Sequence, residues 1–240
     1  MSPPDSTDVR PLYAKVRGEL VERIRSGVWK PGQLIPSEFE IAAEFGVSQG
    51  TARKAISALA AERLVMRQQG RGTFVVEHTP AHVLFRFFNM FDADGELITP
   101  DSVDASATVA RANASEAAAL RLDAGADVVR IARVRTRRGS PFIRESIALP
   151  HQLFPDLAQT PKLPNTLYDL FQKSYGILLV RTEDRLSAAA ADPDTAAALG
   201  LAAGAPLLRI ERLAFGLDAR PIEWRVSLCH LQAAYYLARS

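Results

Sequence analysis

Between Pro36 and Glu62 the chain carries two helical patterns separated by only Gly46-Val47-Ser48, and that spacing leaves few folds open. In the first pattern Ser37 is placed to cap, Ile41, Ala42 and Phe45 recur on one face, and Gly46 stops the helix. In the second, Ser48 is the N-cap candidate, and Ala52, Ala55, Ile56, Leu59 and Ala60 repeat at three- and four-residue spacing as far as Glu62. Upstream, Pro11 to Gly27 reads as a further helix through Leu12, Val16, Leu20, Val21 and Ile24, with Pro11 in its first turn and Gly27 at its end. Two short helices joined by so tight a turn have the helix-turn-helix layout, in which the second helix enters the major groove by its N-terminal residues. Gln49, Gly50, Thr51, Arg53 and Lys54 are then the expected readers.

The next residues support that layout. Leu64 to Gln68 and Thr73 to Val76 alternate as two strands around Gln69-Gly70-Arg71-Gly72, so a β-hairpin is expected with glycines at its tip, where positive φ and close backbone approach are needed. Arg71, between those glycines, can reach a phosphate or a narrow minor groove. Ser37, the first cap, and Arg67, in the first hairpin strand, complete the expected DNA-facing set with Ser48, Gly70 and Gly72. Charge agrees: the formal net charge is +2, and residues 1–78 hold 11 Lys and Arg against 9 Asp and Glu, leaving 18 against 18 elsewhere. From Ser48 to Val76 five cations face Glu62 alone. Such a cluster is what phosphate neutralisation requires, and is otherwise a solvated helix face.

The stretch PGQLIPSEFEIAAEFGVSQGTARKAISALAAERLVMRQQGRGTFV resembles the DNA-binding signature of the GntR family of bacterial transcription regulators, from about Pro11 to Val76. The resemblance implies that Ser48, Thr51 and Arg53 contact the operator and that Gly70 to Gly72 form a wing near the minor groove. Two positions depart from the family pattern: Phe39 and Gln49 stand where basic residues are common. Each change removes a guanidinium contact worth roughly 1 to 3 kcal/mol where it reads guanine, and glutamine suits adenine. An operator unlike the family's common one is therefore expected.

At 240 residues the chain is long for one domain and short for three, and 48% hydrophobic with 23% charged residues fits a globular protein able to bury a core. No stretch approaches the roughly 18 to 20 apolar residues of a membrane helix, and the opening MSPPDSTDVR has no apolar segment that could serve as a signal peptide. A soluble, cytoplasmic protein is expected. One cysteine, Cys229, and four scattered histidines exclude a disulfide framework and the usual zinc spacings, so neither metal nor cofactor is expected. The expected boundaries are a head over 1–76, a polar linker over 77–84 containing Pro80, and a second domain over 85–240.

That second domain contains an internal repeat. Asn113 to Arg133 aligns with Asp192 to Arg212 at an offset of 79 residues, matching Leu120, Leu122, Gly125, Arg130, Ile131 and Arg133 with Leu199, Leu201, Gly204, Arg209, Ile210 and Arg212. Each copy reads as a capped alanine-rich helix, a Gly-Ala turn, a strand, a polar turn and a strand starting at a proline. The fold class is therefore α+β, with two related hairpins in one sheet. In Pro221 to Leu228, Ile222, Trp224, Val226 and Leu228 share one face and Glu223, Arg225 and Ser227 the other. Ile143, Glu145 and Ile147 align likewise, as do Ile131, Arg133, Arg135 and Arg137. Charges turned inward are costly unless paired or functional, so they either line a polar ligand pocket or are paired or exposed charges on a solvent-facing sheet.

Through VVRIARVRTRRGSPFIRES, LPNTLYDLFQKSYGI, LGLAAGAPLLRIERLA and RPIEW, residues from about Leu84 to Arg239 resemble the UTRA effector-binding domain of the HutC subfamily, related in fold to chorismate lyase. The resemblance implies an antiparallel sheet and an effector pocket containing Arg133, Arg135, Glu145, Thr166, Tyr168 and Glu223, the arginines suited to carboxylate or phosphate. Arg225 joins them by strand parity. Cys229 replaces a common aromatic, and Leu231 to Tyr236 replace the usual C-terminal Gly-Asp-Arg-Tyr, so no relative's effector is transferred. The expected function is a ligand-responsive repressor that binds a palindromic double-stranded operator as a homodimer, its affinity set by a small anionic metabolite. The alternatives are a chorismate-lyase-like enzyme fused to a DNA-binding head and a regulator that has lost its small molecule. Cys229 and His230, as strand neighbours, point to opposite faces and make a poor nucleophile pair, so no catalytic residue is expected.

Overall fold

The computed structural model describes residues 11–77 and 88–238, and contacts divide the chain into two units, Met1–Glu77 and His78–Ser240. The expected linker falls, from residue 78 onward, outside the described residues.

In the first unit α1 (Leu12–Arg25), α2 (Glu38–Phe45) and α3 (Gln49–Ala61) precede a hairpin of β1 (Val65–Gln68) and β2 (Gly72–Val75). Val16, Leu20 and Ile24 of α1 and Ile41 of α2 are buried with Ala52, Ala55, Ile56 and Leu59 of α3, so the apolar stripes meet in one core. Both caps form. Ser37 Oγ accepts from the Glu40 amide while Glu40 accepts from the Ser37 amide, and Ser48 Oγ accepts from the Thr51 amide. Gly46 ends α2 in the left-handed region at φ +62°, which lets the chain turn directly into α3. Residues 32–35 add a third line to the hairpin sheet: the amides of Gly32 and Ile35 donate to Val75 and Thr73, and the Val75 amide donates to Gln33.

The second unit is built on a six-stranded antiparallel sheet. Its strands are β4 (Asp101–Arg111), β5 (Asp127–Arg137), β6 (Ser140–Pro150), β7 (Arg181–Ala190), β8 (Pro206–Phe215) and β9 (Pro221–Cys229), in the order β4-β5-β6-β9-β8-β7. This order is the repeat made visible. One copy supplies β4, α4 (Ala114–Leu120), β5 and β6; the other supplies β7, α6 (Pro193–Leu199), β8 and β9. The copies meet at the central β6–β9 pair. Asn113 and Asp192 cap the two short helices, accepting from the Glu116 and Thr195 amides. In each Gly-Ala turn the amide of Ala126 or Ala205 closes on the carbonyl three residues back, of Asp123 or Ala202.

Helices α4 and α6 cover one sheet face through Leu120, Val128 and Ala148 and through Ala196, Leu199 and Leu207. Over the other face lie two apolar clusters. One joins α5 (Leu167–Tyr175), Phe154, which follows the 3-10 turn His151–Leu153, and Leu157, which opens the turn Leu157–Gln159, to Val129, Ile131, Ile147 and Leu149. The second joins Met90 of β3 (Met90–Asp92), with Ala234 and Tyr236 of its partner β10 (Ala234–Tyr236), to Ile143, Ile210 and Cys229.

Candidate functional site

Between those two apolar clusters a row of charged side chains crosses the sheet. Strand register lines it up: Arg133 pairs with Glu145, Glu145 with Ser227, Arg225 with Arg212, and Arg212 with Asp184. Arg133, Arg135, Glu145, Arg212, Glu223, Arg225 and Ser227 are all buried, Glu223 completely. The solvent-facing alternative is thereby excluded. Trp224, Val226 and Leu228 on the opposite face are only half-buried, so the charged face is the more deeply enclosed of the two.

Burial at this depth requires partners. Glu145 accepts from Arg133 Nε at 2.5 Å and from Arg225 Nη1 and Ser227 Oγ at 3.3 Å each, while Arg135 Nη1 stands 3.7 Å away. Glu223 accepts from Arg225 Nε at 3.0 Å and Nη2 at 2.9 Å, and from the Tyr168 hydroxyl at 2.8 Å. Arg212 donates to both oxygens of Asp184, at 2.7 and 2.6 Å, and Tyr236 Oη donates to Asp184 at 2.9 Å. Burial works against the charge on Glu145, but the guanidiniums of Arg133, Arg225 and Arg135 outweigh it and hold the carboxyl well below the usual carboxylate range. Burial, reinforced by Glu223, pushes the Tyr168 hydroxyl up and keeps it a donor.

Four arginines face three carboxylates, and Arg135 is the one whose carboxylate, Glu145 at 3.7 Å, is already hydrogen-bonded to Arg133 and Arg225. Its Nη2 donates at 3.3 Å to the Pro100 carbonyl, which already accepts from Asn165 Nδ2 at 2.8 Å. Among the described residues Arg135 Nε has no hydrogen-bond partner, and neither do Ser102 Oγ, on the strand position opposite, or Asn165 Oδ1. Burial consequently pushes the Arg135 guanidinium down to about 9. A nearby cavity of about 30 Å³, room for a single water, is lined by Phe88, Met90, Glu145, Arg212, Arg225 and Tyr236 among others. Thr166 is buried at the start of α5 beside Asn165, whose carbonyl accepts from Arg133 Nη1 at 3.3 Å.

The first unit presents the other expected set on its surface. Ser48, Gln49, Gly50, Arg53 and Lys54 are exposed at the N-terminal end of α3, with Thr51 half-buried there. Gly70, Arg71 and Gly72 are exposed at the hairpin tip. Lys54 Nζ lies 4.2 Å from the centre of the Tyr13 ring. Arg53 and Arg67 both donate to Glu38, at 2.8 and 3.1 Å. Gly72 sits at φ +108°, where a side chain is strained, and a Cβ there would stand 2.6 Å from Leu34 Cδ1, so the exposed tip of that leucine would have to move.

Residues 12–75 match the model of the bacterial regulatory proteins of the gntR family, and residues 98–234 match the UTRA domain. The chain belongs to the GntR family. It is 30% identical to the Probable fructoselysine utilization operon transcriptional repressor of Escherichia coli (strain K12), over 95% of this chain and 94% of that protein. It is also 30% identical to the transcriptional repressor NagR of Bacillus subtilis (strain 168), over 85% of this chain and 84% of NagR. Among solved structures, PhnF from Mycobacterium smegmatis superposes with a TM-score of 0.56 at 30% identity, covering 94% of this chain and 98% of PhnF. The ligand-binding domain of a GntR-family regulator from Bordetella bronchiseptica gives 0.60 at 31% identity, over 65% of this chain and 98% of that one. These relatives are transcription regulators, and the enzyme alternative has no support among them.

This GntR-family regulator keeps six of its seven expected pocket residues in direct mutual contact or within one carboxylate's reach, Thr166 standing beside them. Sequence reasoning missed Arg212, Asp184, Tyr236 and Asn165. Arg212 had a signal, because it is the repeat partner of Arg133 at the 79-residue offset. Asp184, on an edge strand, and Tyr236, on a separate ribbon, had none. Glu38 was also missed, because a carboxylate is not expected where DNA is bound.

Proposed function

We propose that this regulator binds a palindromic operator as a homodimer and represses transcription, and that a small anionic metabolite bound beside Arg135 controls its affinity for DNA. The observation that carries the reading is a buried guanidinium that shares Glu145, at 3.7 Å, with two other arginines and whose Nε has no hydrogen-bond partner among the described residues; a ligand that brings a carboxylate or phosphate stabilises such a group. Ser48, Gln49, Gly50, Thr51, Arg53 and Lys54 read the major groove, while Ser37, Arg67 and the wing at Gly70, Arg71 and Gly72 hold the backbone. Arg133, Arg225, Glu145, Glu223, Thr166 and Tyr168 complete the effector site around Arg135. One recognition helix reads only a few base pairs, which argues for two related by a twofold axis.

The mechanism is linkage: an effector that prefers the conformation with wrongly spaced heads lowers operator affinity by the factor with which DNA lowers effector affinity. No described helix is long and apolar enough to cross a membrane, and a cytoplasmic location accords with an intracellular DNA target. The test is fluorescence anisotropy against the intergenic DNA beside its own gene, at two salt concentrations with unrelated competitor, followed by a thermal-shift panel of carboxylates, amino acids and sugar phosphates. Saturable binding that survives competitor, and an anion that both stabilises the protein and releases DNA, are expected. Absence of binding to any duplex at low salt would refute the DNA-reading half, and absence of stabilisation across the panel the effector half.

A further inference from the structure

The head's DNA-facing surface contains one carboxylate that its function as a phosphate-binding face does not explain. Glu38 opens α2 directly after the Ser37 cap, and its two oxygens hold two different arginines. Oε2 accepts from Arg53 Nε on α3 at 2.8 Å, and Oε1 accepts from Arg67 Nη2 on β1 at 3.1 Å. The same Arg67 nitrogen also donates to Ser57 Oγ at 3.1 Å. Glu38 is thus the hub joining the helix-turn-helix to the base of the hairpin. It is 24% exposed, whereas the arginine side chains it holds are 61% and 48% exposed. In Arg53 the engaged donor is Nε, and no bond among the described residues takes its Nη1 or Nη2. Those two are the donors that fork onto a guanine's O6 and N7 or onto a phosphate.

A carboxylate among phosphate-binding groups weakens non-specific attraction, since one negative charge is added where counterion release supplies the affinity. What it returns is order, because a free arginine must lose its rotamer freedom on binding while one already fixed by its Nε does not. We propose that Glu38 is a positioning residue for operator recognition: it fixes Arg53 and Arg67 in their reading poses and shifts the balance from non-specific toward specific binding. This rests on the assignment of Arg53 as a DNA-reading residue.

The test uses the full-length protein and a duplex that the wild type has selected from a random pool, with an unrelated duplex of equal length as reference, in anisotropy titrations over several salt concentrations. Glu38→Gln is expected to lose about tenfold on the selected duplex, the factor that ordering one long side chain is worth. On the unrelated duplex it should bind as tightly as wild type or more tightly. Glu38→Asp keeps the charge and the helix N-terminal preference but is too short to span both arginines, and should lose selected binding without gaining unrelated binding. In the Arg53→Ala background Glu38→Gln should cost less on the selected duplex than it does in the wild type, the remainder being the share that acts through Arg67. Equal losses on both duplexes with a lowered Tm of the head would mean a purely structural ion pair and overturn the proposal. A gain on both would mean that Glu38 only repels DNA and would also overturn it. If Arg53→Ala costs affinity and Glu38→Gln does not, this inference alone falls; if Arg53→Ala costs nothing, it falls together with the recognition-helix assignment.

Discussion

Replacing Arg135 by methionine should stabilise the second unit while abolishing its response to an anion. The reasoning starts from what the guanidinium leaves behind. Asn165 still donates to the Pro100 carbonyl at 2.8 Å, and Glu145 keeps Arg133, Arg225 and Ser227, so no buried group loses its last partner. A buried base held at about 9 rather than 12.5 carries its charge at pH 7 only at a cost to the folded state. That depression corresponds to about 5 kcal/mol at most. Methionine keeps the length and apolar contacts of the stem, but forfeits the Nη2 hydrogen bond and the approach of the guanidinium to Phe88 at 5.9 Å. A net gain of about 1 to 4 kcal/mol is therefore expected, in line with apolar replacement of other buried ions. For a unit of this size each kcal/mol raises Tm by about 2 to 4 °C. Glu145→Gln, in the same cluster, should do the opposite and cost about 3 to 5 kcal/mol, because it leaves Arg133, Arg135 and Arg225 facing one another without their shared carboxylate. Scanning calorimetry of the full-length protein reads both changes. If Arg135→Met lowers Tm as much as Glu145→Gln does, Arg135 is a structural member of the network rather than its spare cation, and the ligand site argued from it is wrong.

Acid should act on the same cluster with a definite sign. Glu145 and Asp184 are held below their unfolded values of about 4.3 and 3.9, so their contribution is complete above those values and is lost as pH falls through the folded ones. Stability of the second unit should be level from pH 7 to 5 and fall below about pH 4.5, and a loss beginning near pH 6 would refute this assignment. In the head, Gly72→Ala should cost about 1 to 3 kcal/mol, from positive φ and the clash with Leu34, and weaken operator binding through the displaced wing; unchanged Tm and affinity would count against it. Phe39 is 71% exposed, so Phe39→Arg should change stability by less than about 0.5 kcal/mol. It should also steepen the salt dependence of DNA binding by about one phosphate contact, and an unchanged slope would place residue 39 away from the backbone.

Local signals specify the head almost completely. Ser37, Gly46 and Ser48 are short-range punctuation: each acts on backbone groups within a few residues of itself, so their effect can be read from the chain without knowing the fold. The repeat in the second unit is equally legible, because duplicated residues repeat their caps and turns wherever they are placed. Even the parity of Glu223, Arg225 and Ser227 follows from the period of a strand.

Which face of that strand is buried does not follow from parity. Hydrophobicity alone would turn Trp224, Val226 and Leu228 inward, and they are the half-buried side. The reversal comes from the tertiary structure. Two apolar clusters, one under α5 and one under the β3–β10 ribbon, enclose the sheet's charged row from both ends, and the row is tolerated there because register sets Arg133 beside Glu145 and Arg212 beside Asp184, while Glu223 holds Arg225 from two residues away on the same strand. Those partners lie up to 80 residues apart along the chain, as Arg225 and Glu145 do. The sequence by itself therefore determined the elements, their caps, the duplicated plan and the residue types of both sites. Only the folded sheet decided which charges neutralise one another and left Arg135 to share a carboxylate already engaged by two other arginines, because pairing between distant strands is fixed by register and burial rather than by any local preference.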